Sequence, residues 1–498
     1  MVHNERASRE EGSQFSGSSS KIAQAVGDLR SSSKPNEPAL EDQPGDQGLS
    51  RELKGRHVQL ITLGGAIGVG LFLGSARAIH QAGPALLVAY AISGALIFVV
   101  MRALGEMLVY RPAAGSFALY AEEFLGPWAG FVTGWSYWLN WVLVGIAEIT
   151  AIALYFRYWV PDCPQWIPAA AALLGMFYLN TRAVKVFGEI EFWLALIKIA
   201  AIAALIIVGA GLIFVQVADN GHPAGLNGFT ANGGVFPTGL IGLLLCLPVA
   251  TFAFGGVEMI GATAGEVRDP SKTMRRAVNG VIFRIGFFYI GALAVIMLLV
   301  PWFQLDPDVS PFVSVFGAVG IPYAAGIMNL VILTAAISSC NSGMFTTGRM
   351  LQSLASSGKA PKKLIRLNHR NVPSRAVLFS TAGMSVGVVL NYFVPGHVFD
   401  FAISLVLTTA LWAWSTILVS HVSFRRRVAQ GVIDAPDCRK TGMPWANVLA
   451  LLYIGVIIIA MLADPIGRLA LAGFPAWFLA INIAYLLLRL NAKGKNRS

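Results

Sequence analysis

Charge is scarce in this chain. Only 13% of its 498 residues are Asp, Glu, Lys or Arg, against 55% that are hydrophobic, and the mean hydropathy is +0.64. Soluble domains carry roughly 25% charged residues, so that class is excluded. Cysteine is scarce too: Cys163, Cys246, Cys340 and Cys438 have neither the density of a disulfide framework nor the spacing of a zinc site. The seven histidines, at tail, loop and span-end positions, form no metal-ligand pattern. No Gly-x-x-x-x-Gly-Lys-Ser/Thr loop is present, which leaves ATP-driven transport without support, and no nucleophile constellation points to an intramembrane enzyme. No metal and no cofactor is therefore expected. The N-terminus also lacks the basic start and apolar core of a cleavable signal, so the first span must direct insertion itself.

What the chain does have is long apolar runs. About 20 apolar residues cross the hydrocarbon core as a helix, and such runs recur from Val58 to Leu490. We place about twelve spans, near 58–79, 85–108, 130–157, 166–181, 190–215, 239–264, 280–301, 321–349, 376–393, 399–423, 445–463 and 469–489. The fold class is all-α, polytopic and membrane-embedded. Basic residues fall on every second loop (Arg51 to Arg56, Arg182 and Lys185, Arg268 to Arg276, Lys359 to Arg375, Arg425 to Arg427, Lys493 to Arg497), which predicts that both termini are cytoplasmic. The net charge of +11 thus reflects topology and contact with anionic lipid, and nucleic acid is not an expected partner. Residues 1–50 are rich in Ser, Glu, Asp, Gln and Pro without an apolar run, so a disordered cytoplasmic tail is expected.

Two spans carry glycine-rich interruptions near their centres: Leu63 to Gly70, and Phe252 to Glu258. A helix can break at membrane depth only where protein or a watery cavity satisfies the freed backbone groups. Matched breaks in two halves of a chain point to a substrate site near the midplane. Each half, 51–215 and 216–423, holds five spans, and an odd-numbered unit repeated once must be inverted; residues 424–498 add two further spans and a short basic end. The amides of Gly68, Val69 and Gly70, at the positive start of a half-helix, suit a carboxylate. The carbonyls of Phe252, Ala253 and Phe254 suit an ammonium group, so a free amino acid would bridge the breaks. The alternative is that these glycines only allow close helix packing.

Ionisable groups inside the spans cost roughly 2.5–3.5 kcal/mol each even on the lenient insertion scale, so each calls for a reason. Lys198 sits on the fifth span, where a desolvated lysine changes protonation state readily; it can handle a coupling proton, stand in for a bound cation, or snorkel to the interface. Glu258 follows the second break and is open to two roles, proton carrier or buried carboxylate that holds the unwound backbone. Glu148 lies about two turns from Asn140 on the third span and is either functional or merely paired. Glu106 and Glu266, at cytoplasmic ends, are expected to pair with Arg102, Arg111, Arg268 or Arg284.

Around these residues the chain resembles bacterial amino-acid permeases of the amino acid–polyamine–organocation superfamily, in the branch that carries aromatic, proline, asparagine, D-serine/D-alanine/glycine, lysine and GABA permeases. The resemblance rests on Gly55 to Ile61, Gly64 to Gly68, Ala82-Gly83-Pro84, Met101 to Met107, Gly115-Ser116-Phe117, Glu191-Phe192-Trp193 with Lys198, Phe252 to Glu258, Gly265-Glu266 with Asp269-Pro270, Ser310-Pro311-Phe312 and Asn341-Ser342-Gly343. It implies a LeuT-like fold of two inverted five-helix repeats plus two helices, in the bacterial inner membrane. The implied activity is secondary import of an amino acid, neutral on the resemblance of the third span, by proton symport. It further implies that the backbone from Ile67 to Gly70 binds substrate carboxylate, that Phe252 to Gly255 binds the amine, with the ring of Phe254 as a gate, and that Lys198 takes the place of a sodium ion. One departure stands out: where the family commonly has threonine, this chain has Val69. Competing readings are an exchanger or an amino-acid sensor on the same fold. The topology is tested by C-terminal fusions: a green fluorescent protein should fluoresce and alkaline phosphatase should be inactive, whereas an active phosphatase would reverse the orientation.

Overall fold

A computed structural model describes residues 67–112, 115–182, 184–214, 233–263, 285–307, 309–318, 323–434 and 443–495, with 225 and 280 as isolated positions. The expectations placed on residues 1–50, on the first span before Ile67, on Asp269, Glu266, Arg268 to Arg276, Arg284 and Cys438 lie outside those residues.

Among the described residues every regular element is helical. The first span contributes α1 (Val69–Phe72) and α2 (Gly74–Ala82), followed by α3 (Ala85–Tyr110), α4 (Ser116–Leu125), α5 (Pro127–Phe156), α6 (Trp166–Asn180) and α7 (Val184–Phe214). The later elements are α8 (Gly239–Phe252), α9 (Ile260–Thr263), a π-helical turn at Ile285–Gly291 running into α10 (Ala292–Leu299), α11 (Pro311–Ala318), α12 (Ala324–Ser356), α13 (Ser374–Phe393), α14 (Val398–Ala429), α15 (Met443–Ala463) and α16 (Pro465–Lys495). Among the described residues nine helices are long and apolar enough to cross a membrane, and Trp166–Asn180 and Gly286–Leu299 are shorter apolar ones. With the broken first span, all twelve expected spans have counterparts, in order.

The layering follows from burial. The apolar window of α5 is 78% buried and that of α16 only 6%, so α5 is an interior pillar and α16 a lipid-facing one. Around α5 pack α12, α14, α13 and α4. Between apolar helices in lipid there is little hydrophobic drive, so association depends on close fit and polar contacts. Gly343 of α12 supplies such fit: its missing Cβ leaves room for the ring of Trp141, and Gly387 of α13 likewise accepts Ile146. Asn391 adds a buried bond to the Thr150 hydroxyl at 2.7 Å.

The short α4 was not among the expected elements. It lies between the second and third spans and turns into α5 through Gly126, whose φ of +108° only glycine adopts freely, with Pro127 opening the next helix. Its acidic pair is engaged, Glu122 by Lys359 and Glu123 by Arg111 at 3.0 Å. The partners of Glu106 also differ from expectation: it takes His421 at 2.9 Å and Arg425 at 3.1 Å, both from α14, while Asn447 of α15 bonds the other histidine nitrogen at 2.9 Å. The end of α3 is pressed against α14, which puts these partners closer than its own loop.

Gly343→Val should overpack the α5–α12 seam, at a cost of about 1–3 kcal/mol, and lower the unfolding temperature in detergent. Gly175→Val, at a glycine with open space around it, should leave that temperature unchanged; equal effects would refute the account.

Candidate functional site

The first break enters the described residues at Ile67. Gly68 has extended backbone (φ −116°, ψ −157°) and α1 begins at Val69, so the chain turns helical there, and Ile67 to Gly70 are all buried. Three elements close on this point. Lys198 of α7, fully buried, donates from Nζ to the Ile67 carbonyl at 3.1 Å. Glu148 of α5 accepts from the Val69 amide and from the Ser339 hydroxyl of α12. A Cβ on Gly68 would strike both Glu148 and Ser339, so only glycine lets these oxygens reach the backbone. The sequence-predicted residues Ile67 to Val69, Glu148 and Lys198 thus form one cluster.

Asn140 is placed elsewhere. Its amide donates to the Val406 carbonyl at 2.9 Å and to the Thr409 hydroxyl at 2.8 Å, which clamps α5 to α14 and leaves that amide engaged away from the break. Glu191, by contrast, belongs to the cluster and was not singled out. It is fully buried on α7, accepts from Ser338 and from Asn341 at 3.3 Å, and lies within electrostatic reach of Lys198. Asn180 of α6 holds Asn341 in turn, at 2.7 Å. The signal was available: Glu191 precedes Lys198 by seven residues, about two turns, and so shares its face.

The second break is fully described. Helix α8 ends at Phe252, and the turn through Ala253 to Gly256 closes with Phe254 N–H to Thr251 O at 3.1 Å and Gly255 N–H to Phe252 O at 2.9 Å. Gly256 is left-handed at φ +95°, after which Val257–Met259 form a single 3₁₀ turn. Glu258 braces this shape. Its carboxylate accepts from Tyr137 of α5 and from the indole of Trp414 of α14, each at 3.2 Å, and from the amides of Gly256 and Glu258 itself. Of the two roles open to Glu258, this geometry matches the backbone-holding carboxylate.

The two breaks touch. A Cβ on Gly70 would lie 2.9 Å from the ring of Phe252 and 3.0 Å from the Cα of Ala253. Above them a cavity of about 500 Å³ reaches down to Leu73, Gly74, Val249 and Phe252, and its rim carries the ion pair of Arg77 with Asp400. The ring facing this cavity is that of Phe252. Phe254, which the resemblance makes the gate, is fully buried behind it, edge-on to Tyr90 at 5.7 Å and tilted on Tyr289 at 4.7 Å. Phe252 lines the cavity and Phe254 does not.

The amino acid permease family profile matches residues 57–493, nearly everything after the N-terminal segment. The chain belongs to the amino acid permease family. Over 439 residues it is 47% identical to the uncharacterized amino acid permease YtnA of Bacillus subtilis (strain 168), covering 88% of this chain and 95% of that one. It is 43% identical to the amino-acid permease AapA of the same organism, with the same shares covered. To the aromatic amino acid transport protein AroP of Escherichia coli O6:H1 it is 41% identical over 457 residues, 91% of this chain and 99% of that one. The permease is accordingly a multi-pass protein of the bacterial membrane that transports amino acids, and it is not an enzyme.

The brace on the second break is testable. Gly256→Ala forces a side chain into the left-handed region at about 1–2 kcal/mol, and Glu258→Ala removes the carboxylate that holds the same turn. Each should lower the unfolding temperature of the purified permease, and the double variant should lose less than the sum, because both act on one turn. Strict additivity would show that Glu258 does not brace it.

Proposed function

We propose that the permease imports a neutral amino acid by proton symport, with alternating access around the two breaks. The observation that carries this reading is the direct contact of Gly70 with Phe252 and Ala253, which sets an amide-bearing helix start beside a carbonyl-bearing turn whose Phe252 also lines the cavity. The carboxylate of the substrate binds the amides from Gly68 to Gly70, with Ile67 and Val69 shaping the cradle, and its ammonium binds carbonyls from Phe252 to Gly255. The cluster of Lys198 and Glu148 beside the first break handles the coupling proton, with Glu258 holding the second break in register. Basic residues on alternate loops support cytoplasmic termini, an orientation in which the cavity would face outward. On this reading the five-helix halves 51–215 and 216–423 are inverted repeats, and 424–498 stands outside them.

Neutrality rests on two supports. The inner end of the cavity is lined by Leu73, Gly74, Val249 and Phe252, and its charged lining, Arg77 and Arg157 with Asp400 and Asp464, holds two groups of each sign, Arg77 being paired with Asp400. Relatives named for their cargo are an aromatic amino acid transport protein and a probable threonine/serine transporter, the latter 43% identical over 424 residues. In proteoliposomes, an inward pH gradient should drive accumulation of at least one neutral amino acid from a radiolabelled panel of the standard and common D-amino acids. Lys198→Ala should abolish that accumulation. If no member of the panel is accumulated or exchanged, the reading fails; binding without flux would favour a sensor, and exchange without accumulation an antiporter.

A further inference from the structure

The polar cluster beside the first break contains two carboxylates, Glu148 and Glu191, and a single lysine, Lys198, that faces both. All three are nine-tenths or more buried. With every group in its ordinary ionised form the trio carries an uncompensated negative charge inside the membrane, which is far costlier than taking up one proton. The two carboxylates are not equally suited to be the site of that proton.

Glu191 is solvated by protein. One oxygen accepts from Ser338 and the other from Asn341 at 3.3 Å. Asn341 is itself fixed by Asn180. Donors on both oxygens plus a neighbouring ammonium favour the ionised form. Glu148 is served on one side only. It accepts from the Val69 amide and the Ser339 hydroxyl, while Oε2 is buried without a hydrogen-bond partner among the described residues. A buried oxygen without a protein donor is much cheaper to keep as part of a neutral carboxylic acid than as half of a carboxylate. Among the described residues the other titratable groups facing Glu148 are the Cys340 thiol of α12 and Tyr155 on its own helix, and neither brings positive charge.

We propose that the transported proton resides on Glu148, and that Glu191 is a positioning residue, a permanent counter-ion that keeps Lys198 charged and bonded to Ile67. This rests on the symport reading above and assigns its proton to one carboxyl group. It also supplies a coupling rule. Glu148 lies against Gly68, at the edge of the cradle assigned to the substrate carboxylate. An ionised Glu148 and a substrate carboxylate would be two anions at one set of amides, and a neutral Glu148 removes that conflict. The proton is taken up from the cavity water as the carboxylate becomes a carboxylic acid, and returned to water on the other side when the substrate has left.

Infrared spectroscopy of the purified full-length protein tests the assignment without reference to transport. At neutral pH the wild-type spectrum should contain a carbonyl-stretch band of a protonated carboxylic acid that is absent in Glu148→Gln and retained in Glu191→Gln and Glu258→Gln. A band that persists in Glu148→Gln, or a wild-type spectrum without any such band, overturns the proposal. Should Glu148→Gln not elute as a folded species, Glu148→Asp keeps the acid on a shorter arm and must displace the band; an undisplaced band overturns it equally. In proteoliposomes given labelled L-phenylalanine, L-proline, L-serine or glycine, the ratio of uptake with a pH gradient to uptake without one should fall to unity in Glu148→Gln. A ratio unchanged from wild type defeats the coupling role. A wild-type protein that is itself indifferent to the gradient defeats the symport reading instead, and the infrared band then shows separately whether Glu148 holds a proton.

Discussion

The constraint on which this structure turns is that backbone groups released from a helix inside hydrocarbon have no water to bond. Each break answers it differently. The second is largely self-sufficient, closing its turn with the amides of Phe254 and Gly255 and recruiting Glu258 as an internal cap. The first borrows from its neighbours: the Ile67 carbonyl takes the Lys198 ammonium, and the Val69 amide takes the Glu148 carboxyl. The polar side chains that make the membrane interior unusual are therefore, first of all, the partners without which the breaks could not exist. Any role in moving solute is added to groups already required for folding.

Charge is buried in three distinct ways. Glu258 is surrounded by uncharged donors, a phenol, an indole and backbone amides, and needs no counter-ion nearby. Glu106 lies at the end of α3 with cationic or potentially cationic partners, His421 and Arg425, so its environment balances locally. Around Lys198, among the described residues, two carboxylates share one ammonium. One bound proton would balance that cluster, which sits against the backbone at Ile67 and Val69.

Most of the architecture was legible because lipid imposes a coarse code. Length and apolarity located the twelve spans, and glycine-rich interruptions located both breaks, since few other features survive at that depth. The placement of Lys198 and Glu148 beside the first break followed from the cost of buried charge. What could not be read was tertiary. Asn140 looked aimed at the site by its helical spacing, yet its amide is spent on α14. Glu106 was matched to arginines near it in sequence, whereas His421 and Arg425, which it engages, are more than 300 residues away. The choice between Phe252 and Phe254 depended on the exact dihedrals of a four-residue turn, which no periodicity encodes. α4 escaped because ten mixed residues between two spans carry neither a spanning length nor a clean loop composition.

The substitution at position 69 acquires a physical sense from this geometry. Where the resemblance leads one to expect a threonine, Val69 is buried and offers only its amide, which Glu148 already engages. An extra hydroxyl there would add a polar group to a point where Glu148 and Ser339 supply oxygens from two other helices. The valine instead keeps the immediate surroundings of the cradle apolar, which sharpens every electrostatic interaction within it by excluding competing dipoles. The first break is thereby a backbone site whose side-chain chemistry comes from outside the broken helix, from α5, α7 and α12. Movement of that helix relative to those three would separate the amides from Glu148 and Ile67 from Lys198 together, so that a rearrangement of the break and a change in the charge state of the cluster are one event.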